Sequence, residues 1–179
     1  DQAITVVDDE APVLTCPDDV TVNCEDDRTS ANTDTATATD NCDNDVTITE
    51  NDSVADGTCP QEEVITRKWT ATDDCGNASD CIQIVTVVDD EAPTITCPID
   101  VTLECTKYIN TDDTDCSGSN SSSVCLGLAT ATDNCDKEID IVESDSVADG
   151  TCLVEYTITR TWTGTDDCGN ASSCDQIIS

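Results

Sequence analysis

Polar and apolar residues alternate along Val154-Glu155-Tyr156-Thr157-Ile158-Thr159-Arg160-Thr161-Trp162, with Val, Tyr, Ile, Arg and Trp on the even positions and Glu and Thr on the odd ones. A period of two marks a strand with one buried face. The same pattern over 63–72 places Ile65, Arg67, Trp69 and Ala71 on an inner face. Arg67 and Arg160 are then expected to lie along the sheet, stems packed and heads reaching a carboxylate. Other Val-, Ile- and Thr-rich runs predict strands near 13–16, 20–24, 34–39, 46–50, 62–72 and 80–88, with equivalents in the second half. No window carries a helical period. Short strands with turn signals between them predict a β-sandwich.

The pattern is written twice. "VVDDEAPVLTCP" (6–17) returns as "VVDDEAPTITCP" (87–98), "ATATDNCD" (36–43) as 129–136, "DSVADGTC" (52–59) as 145–152, and "ITRKWTATDDCGNAS" (65–79) as "ITRTWTGTDDCGNAS" (158–172). A repeat of this size means a tandem array of small modules. The expected division is a terminal strand over 1–7 shared with a preceding module, one module over 8–88 and a second over 89–179. The second carries an inserted loop at 106–128. The connector "DDEAP" is short and stiff, so the modules are expected to stack as a rod.

The chain holds 14 cysteines, no Phe and no Met. A module with so little core is marginal without staples. Cys16, Cys24, Cys42, Cys59, Cys75 and Cys81 recur as Cys97, Cys105, Cys135, Cys152, Cys168 and Cys174. The chain has no histidine and none of the closely spaced cysteine pairs of a zinc site, so the cysteines read as disulfides. Disulfides place the protein outside the cell, secreted or on its surface.

Acids outnumber bases 40 to 6, for a net charge of −34. That balance opposes nucleic-acid binding and anionic lipid surfaces, and no apolar run suits membrane insertion. It also strains a compact domain unless cations screen it, either diffusely or at specific sites.

"WTATDDCGNASDCIQIVTVVDDEAP" (69–93), with "TCP" at 15–17 and "ATDNC" at 38–42, resembles a hyalin repeat. The second half matches at "TCP" (96–98), "ATDNC" (131–135) and "TGTDDCGNASSC" (163–174). The resemblance implies an immunoglobulin-like sandwich with an adhesive or structural role, as in repeats strung along large bacterial surface proteins. The fold class expected is therefore all-β: two tandem immunoglobulin-like β-sandwich modules, disulfide-stapled, arranged as a rod. Cys75, Cys168 and the insertion depart from the hyalin pattern.

In such a sandwich the loops after strands 34–39 and 62–72 lie at the end where the chain enters. Asp8, Asp9 and Glu10 would there meet Asp40, Asp43, Asp73 and Asp74. Asp89, Asp90 and Glu91 would meet Asp133, Asp136, Asp166 and Asp167. Carboxylates from a linker and two loops suit the oxygen shell of Ca²⁺, and solvated loops are the plain alternative. Position along the strands suggests the bridges Cys16–Cys81, Cys24–Cys59, Cys42–Cys75, Cys97–Cys174, Cys105–Cys152 and Cys135–Cys168, with Cys116–Cys125 closing the inserted loop.

Sugar acceptors are present in pattern. Asn51, Asn77, Asn120 and Asn170 begin N-x-S/T, and Thr35, Ser53 and Ser146 sit in Asp-Ser/Thr-aliphatic triplets that resemble an O-glycosylation signal. With no histidine and the cysteines bridged, nucleophilic catalysis is not expected. The expected role is a structural unit of an extracellular fibre, stalk or adhesin, stiffened by calcium at the linkers. The alternative is a carbohydrate- or protein-binding adhesion module that uses the 106–128 loop, with glycans as candidate partners. Asp1-Gln2 and Ile4 align with Asp175-Gln176 and Ile178, so residues 1–7 match a last strand. They predict self-association, either a longer tandem chain or head-to-tail strand addition.

Overall fold

The computed structural model describes residues 1–103, 108–109, 123–124, 126–150 and 155–179. The expected bridges Cys105–Cys152 and Cys116–Cys125, Asn120 and most of the inserted loop lie outside those residues. The described chain is all-β and forms two units, 1–89 and 90–179.

In the first unit, β1 (Val13–Thr15) pairs antiparallel with β3 (Thr37–Thr39) in a small sheet. The larger sheet runs β2 (Val20–Asn23), β6 (Ala78–Val88), β5 (Glu63–Thr72), β4 (Thr47–Asp56). β2 is parallel to β6, with Val20 opposite Val85, and the other pairs are antiparallel. A first strand divided between two sheets, its second piece parallel to the last strand, gives the immunoglobulin-like form. The division falls at Cys16-Pro17-Asp18-Asp19, where proline offers no N–H to a ladder. The Cys16–Cys81 disulfide joins β1 to β6 across the layers. Closing 65 residues contributes roughly 4 kcal/mol in the chain-entropy account.

The apolar core gathers Val22, Ile65, Val85 and Val87, with Val20 and Cys24 against it. Trp69 and Ala71 are buried on the same face of β5. Among them lie two polar side chains. Arg67 is 2 % exposed and Gln83, opposite it across β5–β6, is 0 % exposed. Arg67 Nε and Nη2 donate to the two oxygens of Asp52, each at 2.8 Å. Its Nη1 donates to Thr33 Oγ1 at 2.7 Å and its Nη2 to the Arg28 carbonyl at 2.9 Å. Gln83 Nε2 donates to the carbonyls of Asp18 (3.0 Å) and Thr33 (2.6 Å). A buried charge survives only when so paired, and here the pairing pins the loops to the sheet.

The strand expected over 46–50 instead continues to Asp56. The run Asn51–Asp56 pairs fully with β5, and Asp52 stands directly opposite Arg67. The cross-strand ion pair holds a polar segment in the ladder that its own alternation would not mark. Residues 1–12 form no strand, and Ile4, Val6 and Val7 are exposed.

The second unit pairs β7 (Thr94–Thr96) with β10 (Thr130–Thr132) and stacks β11 (Asp140–Asp149), β12 (Tyr156–Thr165) and β13 (Ala171–Ile178) in sequence order. β8 (Tyr108–Ile109) and β9 (Ser123–Val124) form a short parallel pair. The equivalent of β2 is reduced to one parallel bridge, Val101 to Ile178. Cys97–Cys174 repeats the staple of the first unit. Trp162 and Arg160 are buried as expected, whereas Tyr156 is half exposed, because it begins β12 beyond the covered part of the face. Asp19 Oδ1 accepts from the Ile84 amide (2.7 Å) and Asp100 Oδ1 from the Ile177 amide (2.8 Å), plugging the open stretch of each last strand.

Candidate metal centre

Three segments of the first unit bring acids to one place: residues 8–10 before β1, the loop between β3 and β4, and the turn between β5 and β6. Asp8, Asp40 and Asp73 each offer a carboxylate oxygen within 4.8 Å of the others. Each acid is set by local hydrogen bonds. Asp40 Oδ1 accepts from the amides of Cys42 and Asp43, both at 2.9 Å, so the side chain closes its own loop. Asp73 is buried; its Oδ1 accepts from the amides of Cys75 (2.9 Å) and Asn77 (2.8 Å), and its Oδ2 from Asn77 Nδ2 (2.8 Å). Gly76 permits that turn with φ of 89°, and a Cβ there would touch nothing, so backbone freedom alone calls for glycine. Asn77 Nδ2 also reaches the Asp8 carbonyl at 3.3 Å, tying the entering chain to the turn.

The remaining acids are placed differently. Asp43 Oδ2 accepts from the Asp74 amide at 3.0 Å, so Asp43 joins the two loops. Glu10 accepts a hydrogen bond from Asn41 Nδ2. Asp9 and Asp74 are exposed. The second unit repeats the construction. Asp133 Oδ1 accepts from the amides of Cys135 and Asp136 (both 2.9 Å), Asp136 Oδ2 from the Asp167 amide (2.9 Å), and Asp166 from Asn170 N (2.8 Å) and Nδ2 (3.0 Å). Asp133 and Asp166 oxygens lie within 4.8 Å of one another. Asp89 is buried, while Asp90, Glu91 and Asp167 are exposed.

Two oxygens test whether these residues suit a cation. Asp8 Oδ1 and Asp133 Oδ2 are buried and have no hydrogen-bond partner. A buried carboxylate oxygen without a donor is costly, and neighbouring carboxylates at this range repel by about 1 kcal/mol per pair even in water. A hard divalent cation answers both costs, and an all-oxygen donor set without histidine selects calcium or magnesium over zinc. Burial pushes the Asp73 carboxyl up, but the hydrogen bonds from Asn77, Cys75 and Gly76 outweigh it and leave it below its ordinary value. It is therefore ionised and oriented at neutral pH.

The bridge expected between Cys42 and Cys75 is absent: both are exposed free thiols. The Asp43 carboxylate on the Asp74 amide joins the two loops, as Asp136 on the Asp167 amide does in the second unit, where the equivalent cysteines are nonetheless oxidised. Burial, then the charge of Asp8, pushes both thiols above their ordinary value. Cys24, Cys59, Cys135 and Cys168 are in disulfides.

Sequence reading passes over two features. Gln83 and Gln176 are wholly buried latches; Gln176 Nε2 donates to the carbonyls of Ile99 (2.8 Å) and Leu126 (2.6 Å). Their signal is a lone amide at the same place in both last strands. Asn77 and Asn170, read as sugar acceptors, commit their amide nitrogens to Asp73 and Asp166. Thr35, Asn51, Ser53 and Ser146 are exposed.

A family model described as a HYR-like domain with 4 cysteines matches residues 12–87 and 122–179. No curated protein matches the chain. Among solved structures, the EC1-4 fragment of Drosophila N-cadherin aligns over 94 % of this chain at 14 % identity, with a TM-score of 0.40. The chain spans 49 % of that fragment, and a likeness at that score carries no argument.

Proposed function

The chain belongs to the family of HYR-like domains with four cysteines, and from that membership we propose that it is a structural repeat unit of an extracellular fibre, stalk or adhesin whose acidic loops bind calcium. The carrying observation is the convergence of Asp8, Asp40 and Asp73 from three separate segments, with a buried Asp8 oxygen that no donor meets. In this reading Asp73 is the fixed ligand, held by Asn77, while Asp40 and Asp8 bring the β3–β4 loop and the entering chain to it. Bound calcium supplies the charge neutralisation that the acids lack and cross-links the three segments. Asp133 and Asp166 do the same work in the second unit. The oxidised cysteines support an extracellular setting.

Self-association is the second part of the proposal. Gln2, Ile4 and Val6 repeat the register of Gln83, Val85 and Val87, all buried in β6, yet Ile4 and Val6 are 82 % and 88 % exposed. Residues 1–7 are thus a last strand in sequence without a sheet, which suits head-to-tail addition to another copy or continuation in a tandem array.

Thermal unfolding of metal-stripped protein tests the calcium reading. Calcium well above its dissociation constant is expected to stabilise by about 3 kcal/mol, a rise on the order of 10 °C or more for a unit this size. Asp40→Asn should abolish that response in the first unit. Identical melting in chelator and in calcium overturns the proposal.

A further inference from the structure

The inner face of each larger sheet carries the same two polar side chains as neighbours, and each has one atom without a partner. Trp69 Nε1 and Gln83 Oε1 are buried and meet no hydrogen-bonding group among the described residues, and the same holds for Trp162 Nε1 and Gln176 Oε1. The tryptophans are each 4 % exposed and the glutamines 0 %. The amides cannot be turned round to mend this. Gln83 Nε2 donates to the carbonyls of Asp18 and Thr33, and Gln176 Nε2 to those of Ile99 and Leu126, and only the nitrogen side of an amide can donate. Each Oε1 is the branch left over.

The ladders bring the two orphans into reach of one another. Trp69 stands opposite Cys81 and Arg67 opposite Gln83, so Trp69 and Gln83 are diagonal neighbours on one face of β5 and β6. Trp162 and Gln176 hold the same diagonal on β12 and β13, with Trp162 opposite Cys174 and Arg160 opposite Gln176. Diagonal neighbours lie roughly 7–8 Å apart at the backbone, a span that long and aromatic side chains cross. An indole N–H only donates and an amide oxygen only accepts. A buried donor and a buried acceptor left unmade are both costly, and the apolar surroundings raise the cost. The group that answers them must accept at one side and donate at the other. A cation is repelled by the N–H and an anion by the amide oxygen, which leaves a small neutral molecule that does both.

We propose that each unit binds one internal water, which accepts from Trp69 Nε1–H and donates to Gln83 Oε1 in the first unit, and bridges Trp162 and Gln176 in the same way in the second. Such waters are structural components that join buried polar groups. Here the water extends the glutamine latch: the amide holds the loop carbonyls through its nitrogen and the tryptophan of the neighbouring strand through its oxygen. The site is separate from the acidic centre and needs neither calcium nor a second copy.

The test uses the full, oxidised chain. Its two tryptophans give two indole N–H signals, one per unit. Nuclear Overhauser spectra from the water signal, in the laboratory and rotating frames, separate a held water from a passing one: the first gives cross-peaks of opposite sign in the two spectra, the second of equal sign. Opposite signs are expected at both indole protons, and equal signs or no cross-peak at either one overturn the proposal. A crystal structure of the chain should show one water within hydrogen-bond distance of both Nε1 and Oε1 in each unit. A direct Nε1–Oε1 bond there, or another protein group on either atom, also overturns it. Gln83→Met removes the acceptor and should abolish the held water at Trp69 while Trp162 keeps its own; a held water persisting at Trp69 removes Gln83 from the site. Trp69→Phe leaves the Gln83 latch intact and serves should Gln83→Met fail to fold. Its crystal structure should lack the water in the first unit and keep it in the second, and a water retained in the first unit removes the indole from the site.

Discussion

Arg67 and Arg160 stand at the same place in the two units, and their surroundings differ on one side. Both grip an aspartate on the neighbouring strand with two hydrogen bonds of 2.8 Å: Asp52 in the first unit, Asp145 in the second. Arg67 spends its remaining donors on the Thr33 hydroxyl and the Arg28 carbonyl. At the place of Thr33 the second unit has Leu126, which offers no hydroxyl; Arg160 turns its Nη1 to Glu143 at 3.4 Å and lies 5.8 Å over the Trp162 ring. The strand-to-strand pair is thus the common element, and the loop contact is the negotiable one. Among the described residues, Arg67 ties a loop to its sheet, whereas Arg160 meets only groups of its own sheet.

Cutting the common element should produce the largest effect and separate the units. Asp52→Ala leaves a guanidinium that is 2 % exposed without its hydrogen-bonded carboxylate, and is expected to cost about 3 kcal/mol. Asp145→Ala should cost less, because Glu143 remains beside Arg160. Hydrogen exchange of peptides from β5 and β12 in the full chain reads the two separately; equal losses would remove the distinction. Thr33→Val tests the negotiable contact. Losing the hydroxyl that Arg67 Nη1 meets should cost about 1–2 kcal/mol in the first unit and leave β12 exchange unchanged. Gly76→Ala and Gly169→Ala, at φ of 89° and 91° in matching turns, should each cost about 1 kcal/mol by chemical denaturation. Unequal values would show that the turns are not equivalent.

Acid should give the smallest effect. The hydrogen bond from Arg160 holds the Asp145 carboxyl below its ordinary value of 3.8. A depressed carboxyl stabilises the fold above its unfolded value, and that contribution is lost as pH falls through the folded value. Protection of β12 should therefore hold from neutral pH down to about 4 and decline below it, modestly because Asp145 is partly exposed. A decline that begins near pH 6 would contradict the assignment.

Much of this was legible in the residues. The inner face Ile65–Arg67–Trp69–Ala71 follows from alternation, and a buried arginine demands a carboxylate. The second half of β4 was not legible, because its place depends on Arg67 across the ladder rather than on its own polar residues. Gln83 was hidden for a similar reason: only the carbonyls of Asp18 and Thr33, distant in sequence, explain a buried amide. At the acidic centre the sequence located the loops but not the direction of each side chain. Hydrogen bonding within the loops separates Asp40 and Asp73, which face the centre, from Asp43, which links loop to loop. The state of Cys42 and Cys75 was not legible, because identical words surround Cys135 and Cys168, which are in disulfides, and Cys42 and Cys75, which are free thiols.

The Cys16–Cys81 staple has a consequence for a molecule under tension. Pulled from its two ends, the first unit carries the load along residues 1–16, across the sulfurs and out along the end of β6. The residues between the two cysteines, a separation of 65, lie outside that path and stay slack even when the hydrogen bonds between β2 and β6 shear apart. At about 3.4 Å per residue, roughly 220 Å of contour is withheld from extension until the disulfide is reduced. The unit is in effect an inextensible link, and its reach in a pulled thread is set by redox chemistry before it is set by folding stability.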